Sequence, residues 1–294
     1  MRLLMCYNKT AITPGRYLED ALRKIGVEVD VQGARIDFRR LDPAGYSAIL
    51  FVESPSRSPL VVLGADRVFI PKLFWVHHGA NRVQVNVELC RQFRPDLVLM
   101  AHSLELAERF PAPVRFFPFA MAADIFNCTR PLSERRLDIA FVGSTAEGTY
   151  NQRRAVLRAI REHFPERKIS LYGKVYLHKL AALYADAKIV VNCAADQLRT
   201  INMRIFEGMG CGALVVTDLV PHQDLLFEDG KHYVVYRSID DLIDKIGYYL
   251  DHLDEAQRIA LQGYHYLLSR HTYEHRAREL CAMIKDLSST SNSN

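Results

Sequence analysis

The sequence predicts an α/β protein made of two doubly wound domains with a helical C-terminus. Buried-type apolar runs of strand length alternate with segments of helical periodicity, which is the pattern of a parallel sheet covered on both faces. The alternation starts afresh after a polar, irregular stretch at residues 126–137. A length of 294 residues also suits two domains of ordinary size.

The first half of the chain supplies one such domain. Residues 2–7 form a short apolar run that ends at a polar loop. From residue 16 apolar side chains recur at helical spacing up to Gly26, a residue type common at helix C-termini. Further strands are predicted at residues 27–31, 46–52 and 96–100. We therefore expect a Rossmann-like domain at residues 1–130.

The second half repeats the pattern. A buried-type strand at 139–142 leads through a Gly-containing loop to a helix at 152–164. The elements that follow are strands at 169–172, 189–192 and 214–217 and helices at 177–185 and 204–210. We expect the second Rossmann-like domain at residues 131–265, a helix at 266–287 that packs back on the first domain, and a disordered tail of Ser, Thr and Asn at 288–294.

The composition limits the function classes. Lys and Arg number 38 against 34 Asp and Glu, and the net charge of +4 is too small to indicate a nucleic-acid-binding protein. No apolar run approaches the roughly 18 residues of a membrane span, and Asn8 and Lys9 interrupt the first apolar stretch before a signal peptide forms. We therefore expect a cytoplasmic protein with no integral membrane segment.

In open α/β sheets ligands bind at the carboxyl ends of the strands, so the loops after the predicted strands hold the candidate site residues. Gly143 and Ser144 follow one strand and permit close approach of the backbone. The helix that follows, with Arg153 near its start, favours an anion. The motif lacks both established phosphate-loop signatures, and a tight turn before a solvated helix face explains it equally well.

Two weaker candidates come from similar loops. Gly15 lies in a Pro-Gly-Arg stretch after the first strand, where it serves either an anion or a turn. Tyr172, Gly173 and Lys174 end a strand of the second domain and would line the pocket for a nucleotide base, although Gly173 is equally suited to a turn alone.

The segment at residues 202–218 is the most informative one. It places Arg204 and Glu207 one turn apart where a helix begins. An arginine fork there binds phosphate oxygens, and a carboxylate accepts two hydrogen bonds from a ribose diol. The competing interpretation is a surface ion pair three residues apart.

His77 and His78 follow the apolar residues 73–76 at a predicted strand end. One of them would act as a catalytic acid or base toward an acceptor hydroxyl. A structural histidine beside Trp75 is the competing interpretation. A metal site is disfavoured, because no third ligand has a recognisable spacing.

Several blocks of sequence together resemble one enzyme family. The chain is similar to the CgeB-like (spore-maturation-protein type) glycosyltransferases, relatives of the group 1, family 4-like glycosyltransferases of GT-B fold. The strongest block is the Asn-Met-Arg-x-Phe-Glu run that begins at Asn202. The similar blocks are residues 141–144 with Arg153 and Arg154, residues 202–218, residues 228–232 and residues 271–276.

The resemblance implies a GT-B fold, in which two Rossmann-like domains face a central cleft. The first domain then holds the acceptor, and the second holds a nucleotide-sugar donor, UDP-linked by default. Glu207 matches the last Glu of the family's E-x7-E pattern, which holds the donor ribose, whereas Arg199 stands where the first Glu would fall. The implied binding residues are Gly15, Gly143, Ser144, Arg153, Tyr172, Gly173, Lys174, Asn202, Met203, Arg204, Phe206 and Glu207.

The implied reaction is a metal-independent, retaining transfer of a sugar, with the donor as co-substrate and no cofactor. The acceptor is a glycan, a small molecule, a protein or, less readily, a nucleic acid. Two other classes stay open on the sequence alone. A nucleotide-sugar epimerase would use the same fold without an acceptor, and Arg199 leaves room for a nucleotide-sugar-binding protein without catalysis.

Overall fold

The computed structural model describes residues 1–54, 60–196 and 198–291. The chain divides into two compact units, which we call unit 1 (Met1–Pro118 with Tyr273–Asn294) and unit 2 (Phe119–Thr272). The boundary that we expected between residues 130 and 131 lies inside unit 2. The chain returns to unit 1 at Tyr273, whereas we expected the returning segment to begin at residue 266.

The elements alternate as the sequence predicts. The strands are β1 (Arg2–Cys6), β2 (Glu28–Gln32), β3 (Arg35–Asp37), β4 (Ala48–Val52), β5 (Val61–Leu63), β6 (Lys72–Val76), β7 (Leu97–Met100), β8 (Val114–Phe116), β9 (Leu137–Val142), β10 (Ile169–Tyr172), β11 (Ala187–Asn192), β12 (Leu214–Asp218) and β13 (Val234–Tyr236). The helices are α1 (Pro14–Lys24), α2 (Val83–Phe93), α3 (Asn151–His163), α4 (Leu177–Ala185), α5 (Met203–Gly210), α6 (Ile239–Asp251), α7 (Leu253–Arg270) and α8 (Tyr273–Ser291). Across the described ranges, no helix has the length and apolar character needed to cross a membrane.

Unit 1 is built on a parallel sheet in the order β2-β1-β4-β6-β7-β8, with a separate parallel pair of β3 and β5. The central strands β4 and β6 are buried along their whole length, as expected for a sheet covered on both faces. On one face Phe51 of β4 stacks on Phe93 of α2, with ring centroids 4.4 Å apart. The sheet therefore presents the carboxyl ends of its strands, and the loops that follow them, at one edge.

Unit 2 has a five-stranded sheet in the order β10-β9-β11-β12-β13, and every neighbouring pair is parallel. From β9 the chain moves to β10 on one side and then crosses back to β11 on the other. The junction of β9 and β11 is thus a topological switch point, where open α/β sheets bind ligands.

The last helix belongs to unit 1 and packs on α1. Lys24 lies 2.6 Å from the Glu274 carboxylate, and the rings of Tyr17 and Tyr273 are 5.5 Å apart. Residues 288–291, which we expected in a disordered tail, continue this helix, and the Ser288 hydroxyl donates to the carbonyl of Ile284 at 2.9 Å. Helix continuation from an anchored apolar face outweighs their polar composition. Residues 292–294 lie outside the described residues.

Candidate active site

Arg204 lies at the switch point of unit 2, where it bonds to the ends of both β9 and β11. Asn202 caps helix α5 by accepting a hydrogen bond from the Arg204 backbone N–H at 3.1 Å. The Arg204 Nε donates to the carbonyl of Val142 at 2.7 Å, and Nη1 donates to the Asn192 side-chain oxygen at 2.6 Å. The guanidinium also lies 4.6 Å from the centroid of the Phe141 ring. Arg204 therefore ties the ends of β9 and β11 to the first turn of α5.

Gly143 is needed for this arrangement. A β-carbon at position 143 would overlap the Arg204 Nη2 and would lie 2.9 Å from the edge of the Phe141 ring. The absence of a side chain lets the loop after β9 pass directly over the guanidinium. The predicted residues Gly143, Asn202, Arg204 and Glu207 therefore belong to one local structure.

Arg153 has a different role from the one we predicted. Its side chain is buried, with Nε and Nη2 donating to the carbonyl of Cys193 and Nη1 donating to the carbonyl of Ser144. The ring of Tyr150 covers the guanidinium at 4.1 Å. Because these donors are committed to backbone carbonyls, Arg153 braces the loops after β9 and β11 and is poorly placed to bind a phosphate.

The start of helix α3 also differs from our expectation of an open anion site. The Asp196 carboxylate accepts hydrogen bonds from the backbone N–H groups of Asn151 and Gln152, at 2.8 and 3.0 Å. A carboxylate at this position satisfies the positive end of the helix. The protein's own side chain thus occupies the place that the sequence suggested for a ligand.

A buried polar network supports Arg204 from beneath, and its members were not identified from the sequence. The Asn192 side-chain amide donates to the Thr217 hydroxyl at 2.9 Å, and the Tyr236 hydroxyl donates to the Asn192 carbonyl at 3.2 Å. The Asp218 carboxylate accepts from the backbone N–H of Ala194 at 3.0 Å. These residues end three neighbouring strands, so only the strand order reveals that they meet.

Glu207 lies one turn after Arg204, and no described residue donates a hydrogen bond to its carboxyl group. The side chain is only partly exposed. Desolvation raises the pKa of Glu207 to about 7, and the nearby Arg204 opposes that shift. Because no described residue donates to them, its oxygens are available to a ligand.

This raised pKa predicts how Glu207 affects stability. An acid with a native pKa near 7 and an ordinary value of 4.5 binds more protons in the folded state between these values, so its contribution to folding falls as pH rises through 7. We expect Glu207→Gln to be more stable than the natural protein by about 1–2 kcal/mol at pH 8 and by little at pH 5. Urea unfolding at both pH values measures the difference, and equal gains at both would show that ionisation is not the cause.

Tyr172 and Gly173 line a cavity of about 500 Å³ beside the switch point. Its other lining residues include Phe141 and Thr145 from β9 and its loop, and Arg154 from α3. The Tyr172 side chain is 51% exposed, which suits a ring that stacks on a planar ligand. Lys174 is exposed in the following loop. The cavity has the size and mixed lining of a small-molecule site.

The remaining candidates of unit 2 are less directly placed. Phe206 is fully buried and packs edge-on against Phe227 at 5.5 Å, so it belongs to the core. Met203 and Ser144 are not fully buried, and Met203 begins helix α5. Ser144 contributes its carbonyl to Arg153 and its hydroxyl to the backbone N–H of Ala146.

Gly15, His77 and His78 belong to unit 1. Gly15 is buried in the first turn of α1, where a β-carbon would lie 3.1 Å from both Tyr7 and Val52. This glycine therefore lets the helix pack against the ends of β1 and β4, and that contact explains it without a ligand.

The two histidines sit at the carboxyl end of β6 in different environments. The His77 ring is buried edge-on against Trp75 at 4.3 Å, and desolvation lowers the pKa of His77 to about 3. His77 is therefore neutral at physiological pH. The His78 side chain is 32% exposed, so His78 is the better placed of the two for contact with a substrate.

Glu53 holds the loop that carries the two histidines, and no local pattern in the sequence indicated this role. Its buried carboxylate accepts the backbone N–H groups of His77 and His78 at 2.6 and 2.9 Å and the Asn86 amide at 3.0 Å. Arg82 lies 3.4 Å away. Burial alone would raise the pKa of Glu53, but the neighbouring histidines and these donors lower it to about 2.

We expect Glu53→Gln to destabilise the protein by about 2–3 kcal/mol at pH 7, because an amide nitrogen would face groups that are themselves donors. The natural carboxylate contributes its stability above its ordinary value of 4.5 and loses it as pH falls through about 2. The gap between variant and natural protein should therefore narrow below pH 4.5 in acid-unfolding experiments. A gap that is constant with pH would contradict the assigned ionisation.

Comparison with known proteins places this geometry in context. The family model described as "Glycosyl transferase-like" matches residues 129–282. Sucrose-phosphate synthase from Thermosynechococcus elongatus has a similar structure, with a TM-score of 0.66 and 13% identity over 99% of this chain and 100% of that one. No curated protein matches the chain.

Two further solved structures are similar. Anabaena HepE, in complex with UDP and glucose, has a TM-score of 0.63 and 11% identity over 97% of this chain and 100% of that chain. An α-glucosyltransferase in complex with UDP-glucose and DNA has a TM-score of 0.65 and 13% identity over 97% of this chain and 99% of that chain. At these identities the likeness shows the fold, and it confirms the predicted GT-B class.

Proposed function

We propose that this nucleotide-sugar glycosyltransferase, which belongs to the glycosyl transferase-like family, takes as its donor a UDP-linked sugar held by the strand-end loops of unit 2. The observation that carries the proposal is the Glu207 carboxyl group, which has no donor among the described residues, one turn after the fixed Arg204. Arg204 lies over Phe141, and Phe141 also lines the cavity of about 500 Å³. A carboxylate without an internal donor suits the two hydroxyls of a ribose. The complexes of HepE with UDP and glucose and of the α-glucosyltransferase with UDP-glucose support the choice of base.

The nucleotide base is assigned to the cavity on the β10 side, against Tyr172. The ring of Tyr172 supplies a stacking surface, and Gly173 leaves open space beside it, since a β-carbon there would meet no atom within 4 Å. The ribose then lies toward Glu207.

The diphosphate needs positive charge that the protein has not already used. Arg204 and Arg153 are held by the protein's own oxygens, so we assign the diphosphate to the exposed Lys174, to Arg199, which has one hydrogen bond to a carbonyl, and to the N-terminus of α5. These groups stabilise the charge that develops on the leaving nucleoside diphosphate. The donor is a co-substrate, and we propose that transfer is retaining and requires neither a metal nor a cofactor.

We further propose that the chain is of the CgeB-like subtype and acts in the cytoplasm. The acceptor is assigned to unit 1, where His78 is the candidate acid or base toward its hydroxyl. The blocks at residues 202–218 and 271–276 support the subtype.

A thermal-shift panel tests the donor. UDP at a hundredfold excess over its Kd adds about 2.7 kcal/mol of stability, which is a rise of roughly 5 °C or more in Tm. We expect UDP and UDP-sugars to give this rise and ADP and GDP to give much less, and Glu207→Ala to abolish it. Equal shifts for all nucleotides, or none, would overturn the assignment.

A further inference from the structure

A second and larger cavity, of about 1230 Å³, lies on the other flank of the unit 2 site. We call it the β13 groove. It is bounded by residues 219–229, by β13 and by the C-terminal end of α7. Since β10 and β13 are opposite edges of the sheet, the cavity assigned to the base and the β13 groove flank the switch point from two sides.

The groove begins at the strand ends of the site. Asp218 ends β12, and its carboxylate accepts the backbone N–H of Ala194 from the loop after β11. Leu219 follows, and its carbonyl accepts a hydrogen bond from Arg199 Nη2 at 2.7 Å. A donor whose base lies on the β10 side, as proposed above, would extend its sugar toward the β13 side, where this groove begins.

The groove is lined by arginine side chains that have no acidic partner among the described residues. Arg199, Arg237 and Arg270 are exposed, and none of them forms an ion pair within the described ranges. The partners of Arg199 and Arg270 are uncharged. Arg199 donates to the Leu219 carbonyl, and the Arg270 guanidinium lies 5.7 Å from the centroid of the Tyr266 ring.

The acids that line the groove are mostly engaged. Glu228 pairs with Lys231 at 2.8 Å, and Asp229 accepts the backbone N–H of Val235 at 2.8 Å. Asp241, which lies near Arg237, pairs with Lys245 at 2.9 Å. Asp224 is thus the one lining carboxylate, among those described, without such a partner.

The walls and one buried amide suit a sugar. Leu219 and Leu225 are 45% and 56% exposed, and apolar surface of this kind packs on the C–H face of a pyranose ring. Gln223 lines the groove but is only 2% exposed, and both its amide oxygen and nitrogen lack a partner. A sugar hydroxyl both donates and accepts, so it satisfies such an amide once the side chain rotates toward the groove.

We propose that the β13 groove binds an acidic sugar, whose carboxylate pairs with Arg237 and Arg270 and whose hydroxyls reach Gln223. This inference rests on the proposed function and names its substrate class. The acidic sugar is either the sugar of the donor or a residue of the acceptor other than the one whose hydroxyl is assigned to unit 1. Both sources present the same chemistry, a hexuronate.

Calorimetric titration distinguishes the two sources. In the donor arm, Kd is measured for UDP, UDP-glucose and UDP-glucuronic acid. In the acceptor arm, a glucuronate-containing tetrasaccharide and its neutral counterpart are titrated into the UDP-saturated protein. Each arm uses the natural protein, the double variant Arg237→Ala/Arg270→Ala, and the control Arg167→Ala/Arg258→Ala, which removes two exposed arginines outside the groove.

We expect at least a tenfold preference for the acidic ligand in one arm, reduced to twofold or less in the double variant and kept in the control. UDP should bind all three proteins equally. Equal binding of acidic and neutral ligands in both arms, or a preference that survives the double variant, would overturn the inference. Failure of UDP to bind would instead overturn the proposed function, so the two failures are distinct.

Gln223→Leu gives a second test that does not depend on the arginines. Because it removes an unpaired buried amide, we expect Tm without ligand to rise by about 2–4 °C. The same change should weaken the acidic ligand about tenfold. A variant that binds the acidic ligand as tightly as the natural protein would remove Gln223 from the site.

Discussion

Arg204→Lys is expected to lower kcat/KM for sugar transfer by about 100-fold, although it keeps the positive charge. The arginine fork bonds to the Val142 carbonyl and to Asn192 at the same time, and its guanidinium lies 4.6 Å from the centroid of the Phe141 ring. A lysine ammonium cannot make both bonds in that plane. The ends of β9 and β11 would then shift relative to α5, which carries Glu207, and the donor would lose its fixed orientation. Initial-rate assays of UDP release measure the effect.

Gly143→Ala tests the position of the Arg204 guanidinium without changing Arg204 itself. The added methyl group would overlap the Arg204 guanidinium from above without removing any of its hydrogen-bonding groups. We expect a similar loss of activity, and Arg167→Lys on the exposed surface should leave activity unchanged. If both site variants are folded by circular dichroism and fully active, Arg204 does not organise the donor site.

The largest effect on stability is expected from Arg135→Met, at about 3–5 kcal/mol. Arg135 is only 3% exposed and donates to five backbone carbonyls, those of Arg130, Tyr184, Ala187, Cys211 and Gly212. Tyr184 lies in the last turn of α4, and Cys211 and Gly212 directly follow α5, so the guanidinium meets the negative ends of two helices. Burial lowers the pKa of Arg135 to about 10, which still leaves it charged.

Arg136→Met is the matched control, since it makes the same change one residue later. The Arg136 side chain is 81% exposed and pairs with Asp186 at 2.7 Å, and a surface pair of this kind contributes about 0–1 kcal/mol. Urea unfolding of the two variants should therefore differ by several kcal/mol. Equal losses would show that the carbonyl contacts of Arg135 contribute little.

These two arginines also show a limit of sequence analysis. In the sequence they form one charged run, which we interpreted as part of a linker. In the structure one is the buried connection between two helix ends and the other is solvated. Helix ends that are about 50 and 76 residues away in sequence decide the difference, and no local pattern encodes it.

Helix α2 was missed for a related reason. Its sequence begins Val-Gln-Val-Asn-Val, an alternation typical of a strand, whereas Val83, Val87 and Cys90 form the buried face of a helix. The short edge strand β13, with three residues, gave too little signal. The strands that were predicted lie within two residues of their observed bounds, and the short strands β3, β5, β8 and β13, with three residues each, were missed.

The site residues also divide into those that have a local signal in the sequence and those whose partners are distant in the sequence. Arg204 and Glu207 were predicted at a helix start from their spacing, and Asn202 came from the family resemblance; the structure places all three in or directly before the first turns of α5. Arg153 was assigned a ligand, yet its partners are carbonyls at positions 144 and 193. Glu53 and Asn192 were missed, because each meets its partners only through the order of the strands in the sheet.

The most direct test of the central claim is a titration of UDP into the ¹⁵N-labelled protein, followed by amide chemical shifts. We expect the largest changes in the loops after β9, β10 and β11 and in the first turn of α5, at residues such as Gly143, Gly173 and Arg204. Amides of the β2 edge of unit 1 should not move. Absence of any shift at saturating UDP, or shifts concentrated in unit 1, would contradict a nucleotide-sugar site in unit 2.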